Sequence, residues 1–306
     1  MSAIFSALAP VFLMIALGHI LKRRALVSEG FWAPAEKMTF YAFFPALLLI
    51  NTAKADFGDI AVAPMIWASA SGVLIISALT LWARPRLGID GPAFTSVFQG
   101  TIRPNVYLGI AAAVALYDSA GLTLISVSIA VLVPLVNILS VIVLVRHAPT
   151  SGQMPGWLQT LGPVARNPLI IACGLGILLN ITGIGAPPLI SPFLEILGRA
   201  ALPVGLLAVG AGLDFKAMAR AGKTVGLTTA TKLIALPGVT FLTCHWFGVS
   251  GLSLTVSVLY AALPVSATSY VLARQMGGDT ALLAATITAT TVAAMITMPL
   301  IVLLLS

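Results

Sequence analysis

Arg103, Pro104 and Asn105 stand side by side in GTIRPNVYLG (residues 100–109), inside a run from Phe94 to Leu116 that holds no other charged side chain. Proline has no N–H to donate, and its ring clashes with the carbonyl four residues earlier, here that of Gly100. A helix through this run must therefore break near its middle. The same holds in AALPVSATSY (residues 261–270), where Pro264 opposes the carbonyl of Tyr260. A half-helix starting just after each proline offers N–H groups with no intrahelical partner and about half a unit of positive charge. In a membrane these groups need a ligand, a partner chain or water. Asn105, Ser266, Thr268 and Ser269 supply side-chain donors and acceptors beside Pro104 and Pro264. Such a constellation suits an anion.

The charges point the same way. All nine acidic residues fall in loops or at helix ends, whereas Arg103 and Lys232 lie within apolar runs. An arginine at that depth costs at least about 2.5–3.5 kcal/mol, and a bound anion offsets the cost. The competing role for Arg103 is a bond to the helix carbonyls freed by Pro104. For Lys232, binding substrate weighs equally with snorkelling or with contacting freed carbonyls. Asn51 and Asn137 are polar groups in other apolar runs, equally suited to a cavity and to helix–helix hydrogen bonding. His19, Asp56 and Asp214 are candidates for proton transfer or gating, weighed against an interfacial histidine and against carboxylates paired with loop lysines.

The elements that must position these residues are membrane helices. Of 306 residues, 59% are hydrophobic and only 8% charged, against about 25% charged in soluble domains. Apolar windows near 3–21, 38–53, 61–83, 93–116, 122–145, 168–185, 196–213, 224–247, 252–273 and 281–305 each approach the roughly 20 residues a bilayer core requires. The expected fold is all-α with ten spans, without the alternating short segments of a membrane barrel. The basic cluster Lys22, Arg23 and Arg24 follows the first apolar window, the reverse of a signal peptide, so that window is expected to remain as a helix. Twelve of the sixteen Lys and Arg fall in alternate connections. The positive-inside rule makes those connections cytoplasmic and turns both termini outward. The net charge of +7 is thus a topological signal, with no basic stripe of the kind that binds nucleic acid. Cys173 and Cys244 read as small buried hydrophobes. HExxH, GxSxG and paired intramembrane carboxylates are all missing, so nothing in the sequence points to an enzyme, a metal or a cofactor.

The chain repeats itself. FPALLLINTAKADF (44–57) lies over LPVGLLAVGAGLDF (202–215), with Pro45 over Pro203, Asp56 over Asp214 and Phe57 over Phe215. The expected division is a first five-helix repeat at 1–145, a short cytoplasmic linker at 146–166 and a second repeat at 167–306. An odd number of spans per repeat makes the second inverted, an arrangement common among secondary transporters.

With these motifs in view, the chain resembles the auxin efflux carrier family, which includes the plant PIN carriers and bacterial malate or malonate permeases. RPNVYLGI (103–110) is similar to that family's Pro-Asn break in the fourth helix. AALP (261–264) followed by LAR (272–274) is similar to its ninth, and RNP (166–168) to the start of its sixth. The resemblance implies ten helices in two inverted repeats, the fold shared with bile acid:sodium symporters. It also implies a scaffold and a transport domain, and helices 4 and 9 crossing at Pro104 and Pro264. Transport of organic anions by an elevator-like movement, with Asn105 beside the carboxylate, and a homodimer in the plasma (inner) membrane follow from it too. Unlike the plant carriers, this chain has Arg103 in place of an apolar residue and lacks the long cytoplasmic loop. The expected ligand is a small carboxylate, with dicarboxylates and auxin-like acids in its class. A sodium-coupled organic-anion symporter and a non-transporting anion receptor are the competing expectations.

Overall fold

The computed structural model describes residues 2–55, 62–148, 166–186, 188–220 and 222–305. Asp56, Phe57 and nearly all of the expected linker lie outside the described residues.

The described chain is helical, with a single isolated β-bridge as its one piece of β pairing. In order the helices are α1 (Ser2–Arg23), α2 (Glu29–Met38), α3 (Phe44–Ala53), α4 (Val62–Leu87), α5 (Gly91–Ile102), α6 (Val106–His147) and α7 (Pro168–Ile181). There follow α8 (Ser191–Ala211), α9 (Phe215–Ala219), α10 (Lys223–Ala230), α11 (Leu236–Trp246), α12 (Gly251–Ala261), α13 (Thr268–Met276) and α14 (Thr280–Leu305). Single π-helical turns join α2 to α3 (Thr39–Phe43) and α10 to α11 (Thr231–Ala235).

Among the described residues, six stretches are long and apolar enough to cross a membrane unaided: α1, α4, α6, α8, the α10–α11 pair and α14. The other four windows are delivered in shorter pieces, each for a local reason. Window 38–53 starts in a π-helical turn and has Pro45 near the start of α3. Windows 93–116 and 252–273 are broken at their prolines. Window 168–185 stops at Ile181, because Gly183 and Gly185 take positive φ, which glycine adopts without steric cost. One expected connection is shorter than the sequence suggested. Around Tyr117 and Asp118 the chain leaves helical geometry for just two residues, so α6 consists of two helical segments separated by that break.

The chain forms two compact units, each drawing segments from both halves of the sequence. The first comprises Met1–Ile60, Tyr107–Val131 and Ala165–Gly212. Within it α8 packs on α1 and α3, and α7 on α3. Small residues allow the closest approach: a Cβ on Gly18 would run into the backbone of Leu207, and one on Gly210 into the carbonyl of Ile15. Asn180 Nδ2 donates to the carbonyls of Ala53 and Ala55, at 3.1 and 2.7 Å, and holds the end of α3. Lys54 pairs with Glu195 at 2.6 Å nearby.

The second unit comprises Ala61–Val106, Leu132–Val164 and Leu213–Ser306. Its core gathers Val73 and Ile76 of α4, Phe94, Phe98 and Ile102 of α5, Val136 and Val143 of α6, Leu236 of α11 and Ala261 of α12. Both helix breaks belong to this unit.

Candidate functional site

Asp90 caps α5, accepting from Ala93 N–H at 2.9 Å, and the helix runs until Arg103 N–H makes its last intrahelical bond, to Gln99. Pro104 cannot continue the ladder, and α6 begins at Val106. In the other break α12 ends at Ala261, and α13 begins at Thr268, four residues past Pro264 rather than directly after it.

The two breaks pair with each other. Asn105 N–H donates to the Pro264 carbonyl at 2.8 Å, and a single antiparallel bridge joins Pro104 to Val265. Val265 N–H donates to Thr290 Oγ1 of α14 at 3.1 Å. Part of the backbone that the sequence left for a ligand to satisfy is therefore satisfied across the crossing and by Thr290. Thr290 was not among the sequence candidates. It lies in ATITATT (285–291), a hydroxyl-rich run that is the one sequence signal for it.

Arg103 is 7% exposed. Its Nη2 donates to Thr268 Oγ1 at 3.2 Å, and Nη1 is buried without a partner among the described residues. The ion pairs formed by the described residues are Lys22–Glu29 and Lys54–Glu195, so no carboxylate among them neutralises Arg103. The guanidinium bonds to a hydroxyl, not to the freed carbonyls that formed the alternative reading. Thr268 is the first residue of α13 and shares a 2.9 Å bond with Ser266 Oγ. The guanidinium thus lies at the positive end of a helix dipole, where two like charges repel. Ser269, in the same first turn, is fully buried, and its hydroxyl has no partner among the described residues. Gln99, one turn before Arg103 on α5, is also fully buried, and neither of its amide atoms has a partner among the described residues. Gln99 was not among the sequence candidates, which near this break were confined to Arg103, Pro104 and Asn105. Arg103, Pro104, Asn105, Pro264, Ser266, Thr268 and Ser269 are thus brought together, all in the second unit.

The remaining candidates lie elsewhere. Lys232, in the π-helical turn between α10 and α11, is fully buried and donates to the Ala261 carbonyl at 3.1 Å. Of the three roles weighed for it, the geometry matches contact with a carbonyl freed by a broken helix. Asn51 belongs to the first unit and turns its amide back to the Leu47 carbonyl at 2.7 Å. His19 is half-buried on α1, also in the first unit. Asp214 caps α9, accepting from the N–H groups of Lys216 and Ala217 at 3.0 and 2.9 Å. Cys173 and Cys244 are free and buried. No metal-ligating cluster is found among the described residues.

Residues 159–302 match a family model described as a membrane transport protein. Together with the apolar helices, this supports a membrane transporter. The match covers most of the second unit's later segments, α13 and its arginine partner Thr268 included. No curated protein matches the chain.

Proposed function

We propose that the protein is a secondary transporter of small organic anions, carboxylates above all, working by alternating access of the elevator type. The observation that carries this reading is Arg103: a buried cation with no carboxylate partner and one unpartnered nitrogen among the described residues, set against the positive end of α13. A carboxylate in a charge-assisted pair with that guanidinium relieves both the unpaired charge and the like-sign repulsion. In this reading the chain crosses the membrane ten times as two inverted five-helix repeats, with both termini outside the cytoplasm. Asn105 lies beside the carboxylate, and the carrier works as a homodimer in the plasma membrane. The similarity of RPNVYLGI and AALP to auxin efflux carriers supports the same assignment.

The test is charge movement in proteoliposomes on a solid-supported electrode, with a panel of mono- and dicarboxylates. Saturable currents in the wild type that vanish in Arg103→Gln are expected. Currents unchanged by that substitution remove Arg103 from the site, and silence for every acid in folded protein favours a receptor over a carrier.

A further inference from the structure

Lys232 is 0% exposed, and its ammonium spends one donor on the Ala261 carbonyl. That carbonyl is an orphan of the break in the second crossing helix. In an unbroken helix it would accept from residue 265, whose N–H goes instead to Thr290. Beside Lys232 lies a mostly apolar cavity of about 10 Å³, bordered by Val73, Ile102, Leu236 and Ala261 and by the hydroxyl-bearing Ser69, Thr240, Ser257 and Tyr260. Such a volume holds about one water. The hydroxyls of Ser69, Thr240 and Tyr260 have no partner among the described residues, and all three line this cavity.

The lining contains no carboxylate, so the charge balance comes from the backbone. Two half-helices, α5 and α12, end here: Ile102 and Ala261, their last residues, both border the cavity. Each C-terminus carries about half a negative unit; that of α12 meets the ammonium directly through the Ala261 carbonyl, whereas that of α5 is shared with its capping residue Arg103. Carbonyl and hydroxyl oxygens around a fixed positive centre are also the donor set that hard cations select.

We infer that the Lys232 ammonium is a tethered cation, occupying from within the chain the position that a small monovalent coupling cation would otherwise take at the carbonyl end of α12. Its significance for transport rests on the carrier reading; its test does not. With the tether in place the protein needs no soluble cation at this position. With the side chain cut away, the Ala261 carbonyl loses its donor, and the vacated space adjoins the cavity that Ser69, Thr240 and Tyr260 border.

The experiment is thermal unfolding of the purified protein, followed by a thiol-reactive dye. In a Cys173→Ala background, Cys244 of the second unit reports alone. Wild type, Lys232→Ala and Lys232→Met are compared in choline, sodium and methylammonium salts at equal ionic strength. The wild-type midpoint is expected to be the same in all three. Lys232→Ala is expected to unfold at a lower temperature in choline and to recover, saturably, in methylammonium or sodium. Lys232→Met, which fills the space without charge, is expected to stay low in every salt. A wild-type midpoint raised by sodium over choline overturns the inference. So does Lys232→Ala matching the wild type in choline, or failing to respond to either small cation. If Lys232→Ala is recovered folded only in methylammonium, the inference is upheld. Because the readout is a midpoint and not a flux, absence of carboxylate currents in the wild type counts against the carrier reading and leaves this one standing.

Discussion

Arg103 hands one nitrogen to Thr268 and keeps another unpartnered among the described residues, so its orientation depends on a single hydroxyl. A hydrogen bond to a charged group contributes about 1.5–3 kcal/mol. Thr268→Val, which keeps shape and loses the acceptor, is expected to raise the half-saturating carboxylate concentration about tenfold or more. Thr268→Ser is expected to stay near the wild type, and equal currents from all three proteins would show that the bond does not aim the guanidinium. At this scale the ionisable groups and the neutral ones flanking the two prolines were legible, and the neutral groups elsewhere were not. Arg103 and Lys232 announce themselves as ionisable groups in apolar runs. Ser69, Thr240, Tyr260 and Gln99 do not, because many serines and threonines here simply bond back to their own helix, as Ser126, Ser140 and Thr286 do. Sequence carries no mark separating a hydroxyl that faces a cavity from one of those.

The helix breaks were legible as elements because proline alone among the residues lacks the N–H a helix needs. What each break pairs with was not, since Asn105 and Pro264 meet through tertiary contact that no local pattern encodes. The π-helical turns and the two-residue break of α6 at Tyr117 and Asp118 escaped for the same reason. Restoring the missing N–H tests the crossing directly. Pro264→Ala lets residue 264 reach the Tyr260 carbonyl, and alanine is about 3 kcal/mol better than proline inside a helix. Transport is expected to fall while the unfolding midpoint holds or rises; a midpoint that drops would mean that the break itself stabilises the fold. In the first unit the packing of α1 on α8 makes the opposite prediction. Gly210→Leu forces a side chain into the Ile15 carbonyl, and overpacking of this kind costs about 1–3 kcal/mol. The midpoint reported by Cys173, read in a Cys244→Ala background, is expected to fall; an unchanged midpoint would mean the helices part without cost.

At the scale of the whole molecule, composition made the membrane class legible, and the division into two units was not, because each unit recruits segments from both halves of the chain. The carrier reading with a tethered cation has an electrical consequence. If neither Arg103 nor Lys232 exchanges a proton and no soluble cation accompanies the substrate, each monocarboxylate carried moves one net negative charge. A potential of 100 mV is then worth about 2.3 kcal/mol per turnover, favouring exit from a negative interior. In proteoliposomes clamped with potassium and valinomycin, inside-negative potential is expected to speed efflux and slow uptake, unchanged by sodium. Flux indifferent to potential would require a compensating proton or cation.

The bond from Asn105 N–H to the Pro264 carbonyl also bears on how the protein is made. During synthesis the first proline break leaves the ribosome about half a chain length before the second exists. An unsatisfied backbone group in hydrocarbon costs several kcal/mol, so the nascent segment 91–116 is a poor candidate for early release into lipid. It must wait in the insertion machinery, or in water at the membrane surface, until residues 251–276 arrive to complete it. Chains truncated before residue 250 should accordingly remain accessible at this segment to water-soluble reagents, long after their first three apolar windows have become inaccessible.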